Sequence, residues 1–275
     1  MKKPKVMSIV NHKGGVLKTT TTVNLGAGLA RLGKRVLVCD LDPQQNLTAS
    51  LIGIQPYDDN ARTLFHAFMD EQGLDELIRP TTTKGLDIVP SAEDFFATEL
   101  SLAPKPAREF CFRSCLKNTA RLTEYDFVLI DNSPSVSLVT LNSLVASDYF
   151  LVPVSAEYLP ITGLIMLGNS IGLAQEKLAP HLKSLGVVLT HYHRQEKICR
   201  DVEKKLQSEL GEMLFRTRIR VNTKAKTAPS VQKTIFQFEE DEEGRGTEDY
   251  AALAEEVIAR IEQNESLPLK EAANG

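Results

Sequence analysis

An apolar run, Val6-Met7-Ser8-Ile9-Val10, is followed closely by Lys13-Gly14-Gly15-Val16-Leu17-Lys18-Thr19-Thr20, and then by a helical pattern over Thr21-Thr22-Val23-Asn24-Leu25-Gly26-Ala27-Gly28-Leu29-Ala30. A buried strand, a glycine loop, Lys-Thr and a helix in that order form the layout of a phosphate-binding loop. Paired glycines let backbone N–H groups turn inward around phosphate oxygens, because no Cβ blocks the approach. The helix N-terminus adds its dipole and its unpaired N–H groups. In such a loop Lys18 would reach the β- and γ-phosphates, and the Thr19 hydroxyl would ligate Mg²⁺.

The rest of the chain extends this unit. Short apolar runs, at residues 35–40, 85–90, 127–131, 149–154 and 185–190, alternate with helix-length segments near 92–102, 107–121, 137–146, 161–178 and 195–209. Strands that are almost continuously apolar are buried on both faces. The expected fold is therefore α/β, a mostly parallel twisted sheet with helices on both faces, of the P-loop NTPase type. In such sheets ligands sit beyond the carboxyl ends of the strands. That is where the glycine loop, Asp40 and Asp131 fall. With 275 residues, the expectation is a single domain over 1–265 followed by a flexible tail over 266–275.

Cysteine use and hydropathy narrow the setting. Cys39, Cys111, Cys115 and Cys199 form no dense framework, which points to a reducing, cytoplasmic compartment. Cys39 reads as a core thiol in a strand. Cys111 and Cys115, four apart on a helix with no second Cys/His pair nearby, read as packing residues rather than metal ligands. The leading Met-Lys-Lys-Pro-Lys runs into a strand without the apolar stretch of a secretory signal. No run is long and apolar enough to cross a membrane as a helix.

The loop departs from the general phosphate-loop pattern at two places. His12 stands where the first Gly belongs, and Leu17 stands where Gly precedes Lys-Thr. The first departure has a precedent. Lys13-Gly14-Gly15 resembles the deviant loop of the ParA/MinD family of ATPases, K-G-G-x-G-K-[ST], whose early lysine is a signature. Leu17 alone breaks that pattern. A positive φ there would cost a Leu roughly 1 kcal/mol or more.

Two further segments carry the same resemblance. Asp40-Leu41-Asp42-Pro43-Gln44-Gln45-Asn46-Leu47-Thr48 resembles the family's first switch, D-x-D-P-Q-x-N-x-T, and Asp131-Asn132-Ser133-Pro134-Ser135 resembles its second, D-x-x-P-S. The resemblance implies that Asp42 polarises the attacking water and that Asp131 holds the Mg²⁺ water shell. Downstream, Val152-Pro153 through Gly163-Leu164, and Arg220-Val221-Asn222 with Ala228-Pro229-Ser230, match the family's later stretches, so the likeness runs from about residue 5 to residue 262. It implies that Gly14, Gly15, Val16, Leu17, Lys18, Thr19 and Thr20 cradle the phosphates of ATP and that Asn222 lies near the adenine. It also implies that an ATP-bound homodimer forms in which Lys13 of each copy reaches the other's phosphates. Hydrolysis, slow unless a ParB-like or cargo-adaptor protein stimulates it, would reset the switch.

Charge separates the branches of the family. The whole chain carries −4, yet residues 216–233 contain Arg216, Arg218, Arg220, Lys224, Lys226 and Lys233 and no acid, while Arg194, Lys197, Arg200, Lys204 and Lys205 lie just upstream. A local basic surface on an acidic protein suits sequence-independent binding to the DNA backbone, and equally suits a solvated charged face. By the resemblance, Arg194, Arg218, Arg220 and Lys224 are the candidate contacts to double-stranded DNA, and the protein would be nucleoid-associated. A MinD-like membrane switch needs a basic amphipathic C-terminal helix, whereas residues 248–262 are rich in Glu with Arg260 the single base. An acidic stretch, Glu239-Glu240-Asp241-Glu242-Glu243, precedes that helix.

The sequence leaves three readings of Leu17. The chain is a working ATPase, a degenerate relative that binds DNA or protein but nucleotide poorly, or an ATPase held in one state by a change at this position. His12, His191 and His193 read as surface or packing histidines. Phe95, Phe96, Phe110 and Phe112 read as helix core or as a dimer-face patch.

Overall fold

The computed structural model describes residues 3–54, 56, 58, 60–157, 161–239 and 244–273, with 161, 162 and 267–273 described by backbone alone. In chain order the first half contains β1 (Lys5–Ile9), α1 (Lys18–Arg31), β2 (Val36–Leu41), α2 (Asn46–Ile52), α3 (Leu64–Asp70), β3 (Arg79–Pro80), β4 (Leu86–Val89), α4 (Thr98–Leu102), α5 (Cys111–Asn118) and β5 (Phe127–Asn132). The second half contains α6 (Leu138–Ala146), β6 (Tyr149–Ser155), α7 (Ile161–Lys177), β7 (Lys183–Tyr192), α8 (Lys197–Leu210), β8 (Leu214–Arg220), α9 (Thr223–Thr227), α10 (Ile235–Phe238) and α11 (Arg245–Ala273).

The strands form one sheet in the order β3-β4-β2-β5-β1-β6-β7-β8. Every pairing is parallel except the short β3 against β4. The expected mostly parallel α/β sheet of the P-loop NTPase type is what the chain forms. Period-two alternation divides each central strand between two cores. Val36, Val38, Phe127 and Leu129 face one side with Leu25, Leu29, Tyr250 and Leu253, while Leu37, Cys39, Val128 and Ile130 face the other with Phe68, Phe95 and Phe112. A third cluster lies around β6, β7 and α8 and includes Val154, Leu189, Cys199 and Val202.

Helix α1 lies close to both the sheet and α11. A Cβ added at Gly28 would stand 3.0 Å from the Tyr250 carbonyl oxygen and 3.1 Å from the Ala254 Cβ, so the small residue is what permits this approach. Helix α11 buries Tyr250, Leu253, Ala254, Val257 and Ile261. Over these residues it is a core element of the fold. It extends through Ala273, past Glu262 where the sequence pattern ended it and into the stretch expected as a tail. Among the described residues no helix is long and apolar enough to span a membrane.

Other differences are local. The basic stretch read from sequence over 216–233 begins within edge strand β8 (Leu214–Arg220). The four cysteines are buried thiols, with Cys111 and Cys115 packed beside Phe68 and Phe112 as the packing reading expects. Phe95 is core, whereas Phe96 is 60% exposed. Of the acidic run after Phe238, Glu239 is described and buried, and residues 240–243 lie outside the described residues, as does Tyr158.

Candidate phosphate-binding site

The loop between β1 and α1 lies at the carboxyl edge of the sheet. Gly15 has φ +72°, and a Cβ on either Gly14 or Gly15 would meet no atom within 4 Å, so the glycines open onto free space. Three backbone carbonyls fix the loop. Thr190 Oγ1 donates to Val16 O at 3.1 Å, His191 Nε2 lies 3.1 Å from Gly15 O, and Lys18 Nζ donates to Lys13 O at 3.1 Å. Asn11 accepts from Lys13 N at 3.0 Å and donates to Pro153 O at 2.8 Å, which ties the start of the loop to β6.

Lys18 is buried, 7% exposed, and burial holds its ammonium below the ordinary lysine range even though Asp131 and Asp42 oppose the shift. Beneath it three carboxylates converge. Asp40 and Asp131 stand opposite each other on adjacent strands β2 and β5. Thr19 Oγ1 donates to Asp131 Oδ2 at 2.7 Å and Thr22 Oγ1 to Asp131 Oδ1 at 3.1 Å. Burial first, and the charge of Asp40 second, push the Asp131 carboxyl up to about 7. Burial likewise pushes Asp40 up to about 6, against hydrogen bonds from Thr48 N at 2.8 Å and Thr48 Oγ1 at 2.6 Å. Asp42 accepts from Gln44 N at 2.9 Å, and its own N–H donates to Asp40 at 3.2 Å.

This is a cradle with one buried cation, open backbone and a hydroxyl–carboxylate pair. A hydroxyl and a carboxylate are the hard oxygen donors that Mg²⁺ takes, with water completing the shell. The donor set therefore fits a magnesium–polyphosphate. Of the residues singled out from sequence, Lys18, Thr19, Asp42 and Asp131 come together here. Lys13 lies on the exposed rim and Thr20 on the first turn of α1, half-buried.

Residues 4–184 match a family model described as an AAA domain. Over 93% of its length the chain is 35% identical to the chromosome partitioning protein ParA of Myxococcus xanthus, of which it covers 88%. It is 38% identical to the chromosome-partitioning ATPase Soj of Thermus thermophilus, covering 94% of this chain and 96% of that one. The chain belongs to the ParA/MinD family of P-loop ATPases. A solved relative in fold, described as cobyrinic acid a,c-diamide synthase from Mycobacterium smegmatis with bound ADP and magnesium, superposes with a TM-score of 0.77 at 28% identity, covering 92% of this chain and 93% of that one.

In this ParA/MinD-family chain the position before Lys18 departs from the family pattern in its residue and keeps a backbone that glycine favours. Leu17 has φ 64° and ψ 34°, in the left-handed region. Its side chain packs against the core cluster that contains Ile219 and Tyr250. Asn222 lines the same cleft. It caps α9 by accepting from Lys224 N at 2.8 Å and donates to Glu239 at 2.7 Å.

The basic region divides. Arg194 and Lys224 are exposed. Arg218 and Arg220 are both engaged in ion pairs. Arg218 Nε donates to Glu203 at 2.9 Å with the side chain 15% exposed. Arg220 Nε donates to Asp249 at 2.8 Å, and its Nη2 to Glu248 at 2.6 Å. These two arginines clamp β8 to α8 and α11. An open groove of about 530 Å³ runs over α8, lined by Tyr192, Arg194, Arg200, Glu203 and Lys204 among others.

Sequence reasoning missed His191 and Thr190 as loop anchors. A His at a strand end carries no motif, and only the sheet brings it to Gly15. The first switch motif holds Thr48 but not its bonds to Asp40, nor Ser91, whose backbone N–H donates to Thr48 Oγ1 at 3.0 Å and extends the network behind Asp40.

Proposed function

We propose that this chain is a partition-type ATPase in which ATP drives two copies face to face, the dimer binds DNA without sequence preference, and hydrolysis resets the switch. The observation that carries this reading is the buried Lys18 above the Thr19–Asp131 pair, with Asp40 and Asp42 beside it. An ATPase family whose members include partition proteins supports it.

In this mechanism the N–H groups of Gly14, Gly15 and Val16 surround the phosphate oxygens, and Lys18 leaves its internal acceptor, Lys13 O, for the β- and γ-phosphates. Thr19 and, through water, Asp131 would hold magnesium, which would supply neutralisation of the phosphate charge. Asp42 orients the attacking water. Phosphoryl transfer to water needs a placed nucleophile more than a strong base, and the hydrogen bond from Gln44 N that fixes the Asp42 carboxylate supports a role in orienting that water. Lys13, on the exposed rim, would meet the partner copy's phosphates, where like charges face each other and demand a compact cation. Arg194 and Lys224 would contact the DNA backbone, and a ParB-like or adaptor protein would accelerate turnover.

A second reading has its own observation. Leu17 holds a left-handed backbone that favours Gly, so the chain would keep fold and DNA affinity while binding nucleotide weakly.

Light scattering after size exclusion separates the two. Mg²⁺-ATP is expected to double the mass of the chain, and Asp42→Ala is expected to hold the dimer by slowing hydrolysis. No ATP-dependent change in mass, in this chain or in Leu17→Gly, would overturn the switch.

A further inference from the structure

The phosphate cradle has two ends. At one lie Asp40, Asp42 and Asp131, the acids of the reacting end. A nucleoside attached to phosphates held over Gly15–Thr19 must leave at the other. There, the first turn of α1 opens on a cleft lined by Leu17, Thr20, His191, Asn222, Ala225 and Tyr250 among others. The cleft encloses only about 20 Å³, room for about one water. Small-molecule pockets begin near ~300 Å³.

Leu17 is a reason for the shortage. Its backbone lies at φ 64° and ψ 34°, so the loop keeps the left-handed turn that glycine takes without cost. The turn being kept, the extra atoms of a Leu must be housed beside it. They pack with the core cluster that contains Ile219 and Tyr250, both of which also line the cleft, and with Ala225 near them. The far wall is rigid. His191 is fixed to Gly15 O, Asn222 is held by Glu239 and Lys224 N, and Tyr250 is fully buried. An apolar side chain in such a pocket is not displaced without exposing its own surface to water.

We propose that Leu17 is a built-in plug of the nucleoside cleft, so that the loop recognises the polyphosphate end of its ligand and discriminates little for the nucleoside. This rests on the reading of residues 13–20 as a phosphate cradle. The side chain lines the cleft rather than the glycine turn, where a Cβ on Gly14 or Gly15 would meet no atom within 4 Å. Loss of side-chain atoms at position 17 therefore adds nucleoside contacts and changes phosphate contacts little.

The test is titration calorimetry of the full chain with Mg²⁺-ATP and with Mg²⁺-tripolyphosphate, repeated for Leu17→Ala and Leu17→Gly. The plug predicts that the native chain binds the two ligands within about threefold of each other. It predicts that Leu17→Gly tightens ATP by about tenfold or more while moving tripolyphosphate by less than about threefold. Leu17→Ala keeps a Cβ and the same backbone demand, so a gain for ATP in that variant belongs to the removed side chain rather than to relieved strain. Unchanged tripolyphosphate binding also reports that each variant is folded. A native chain that prefers ATP by more than about tenfold overturns the plug and leaves the switch standing. So does a Leu17→Gly variant that tightens both ligands alike, which would place the effect in the backbone. Failure of both ligands with all three proteins overturns the cradle itself, and the plug with it.

Discussion

Thr19 Oγ1 donates to Asp131 Oδ2 across 2.7 Å, joining the first turn of α1 to the end of β5. The two residues are far apart in the chain and belong to different motifs. Their meeting is what turns two short sequence patterns into one site.

Thr19→Val keeps the shape of the side chain and removes the oxygen that faces Asp131. The magnesium-dependent part of ATP binding should fall by about tenfold or more, a loss of ~1.4 kcal/mol, while binding in EDTA changes little. Calorimetry with and without Mg²⁺ checks this. Equal losses in both conditions would mean that Thr19 shapes the loop rather than the metal shell.

Asp40 has a carboxyl pushed up to about 6 by burial. Its unfolded value lies near ~4, so between these pH values the folded chain retains a proton that the unfolded chain has lost. The contribution of Asp40 to stability is therefore fully present below about pH 4 and is lost as pH rises through about 6. Asp40→Asn removes this dependence. In thermal melts the variant should gain on the native chain from pH 4 to pH 7. A gap that is constant over this range would show that the burial of Asp40 is not the cause.

Arg194→Glu and Lys224→Glu should weaken DNA binding by similar factors on unrelated sequences, and each should flatten the dependence of log K on log salt by about one. Filter binding over a salt series with ATP present measures both. Arg218→Gln and Arg220→Gln should instead lower the denaturant midpoint, because each leaves a partly buried carboxylate, Glu203 or Asp249, without its cation. Specific loss of DNA affinity with unchanged stability in these two variants would return them to the DNA surface.

Gly28→Val should cost ~1–3 kcal/mol of stability, because the added atoms would press on the Tyr250 carbonyl and on Ala254. Urea unfolding would register this as a lower midpoint at constant slope. No change would mean that α1 and α11 have slack between them.

The central sheet was legible because its strands carry nearly unbroken apolar runs and because Asp40 and Asp131 end two of them. Edge strand β8 was not. Its Arg216, Arg218 and Arg220 alternate with less polar residues, and the eye follows the charge. Two of those charges are spent on Glu203, Glu248 and Asp249, acids that lie elsewhere in the chain, so no local pattern announces the pairing. The loop residues and both switch acids were readable as motifs, whereas the left-handed turn at Leu17 entered the sequence reading only as a condition and is seen in the structure. His191 and Thr190 were not readable, because they act through hydrogen bonds that only the assembled sheet creates. Phe95 and Phe96 show the same limit on a smaller scale. They are adjacent and chemically identical, yet one is core and the other is open to solvent.

The anchoring of the glycine loop by Thr190 and His191 has a mechanical side. Both residues are at the end of β7, and Arg194 follows three residues later, within ~10 Å of chain. Arg200 grips that same turn, donating to Arg194 O at 3.0 Å and to Gln195 O at 2.8 Å. The phosphate cradle and the groove of positive charge over α8 thus hang from one short, braced crank. A tug on Gly15 has almost no loose chain in which to dissipate before it reaches the guanidinium groups.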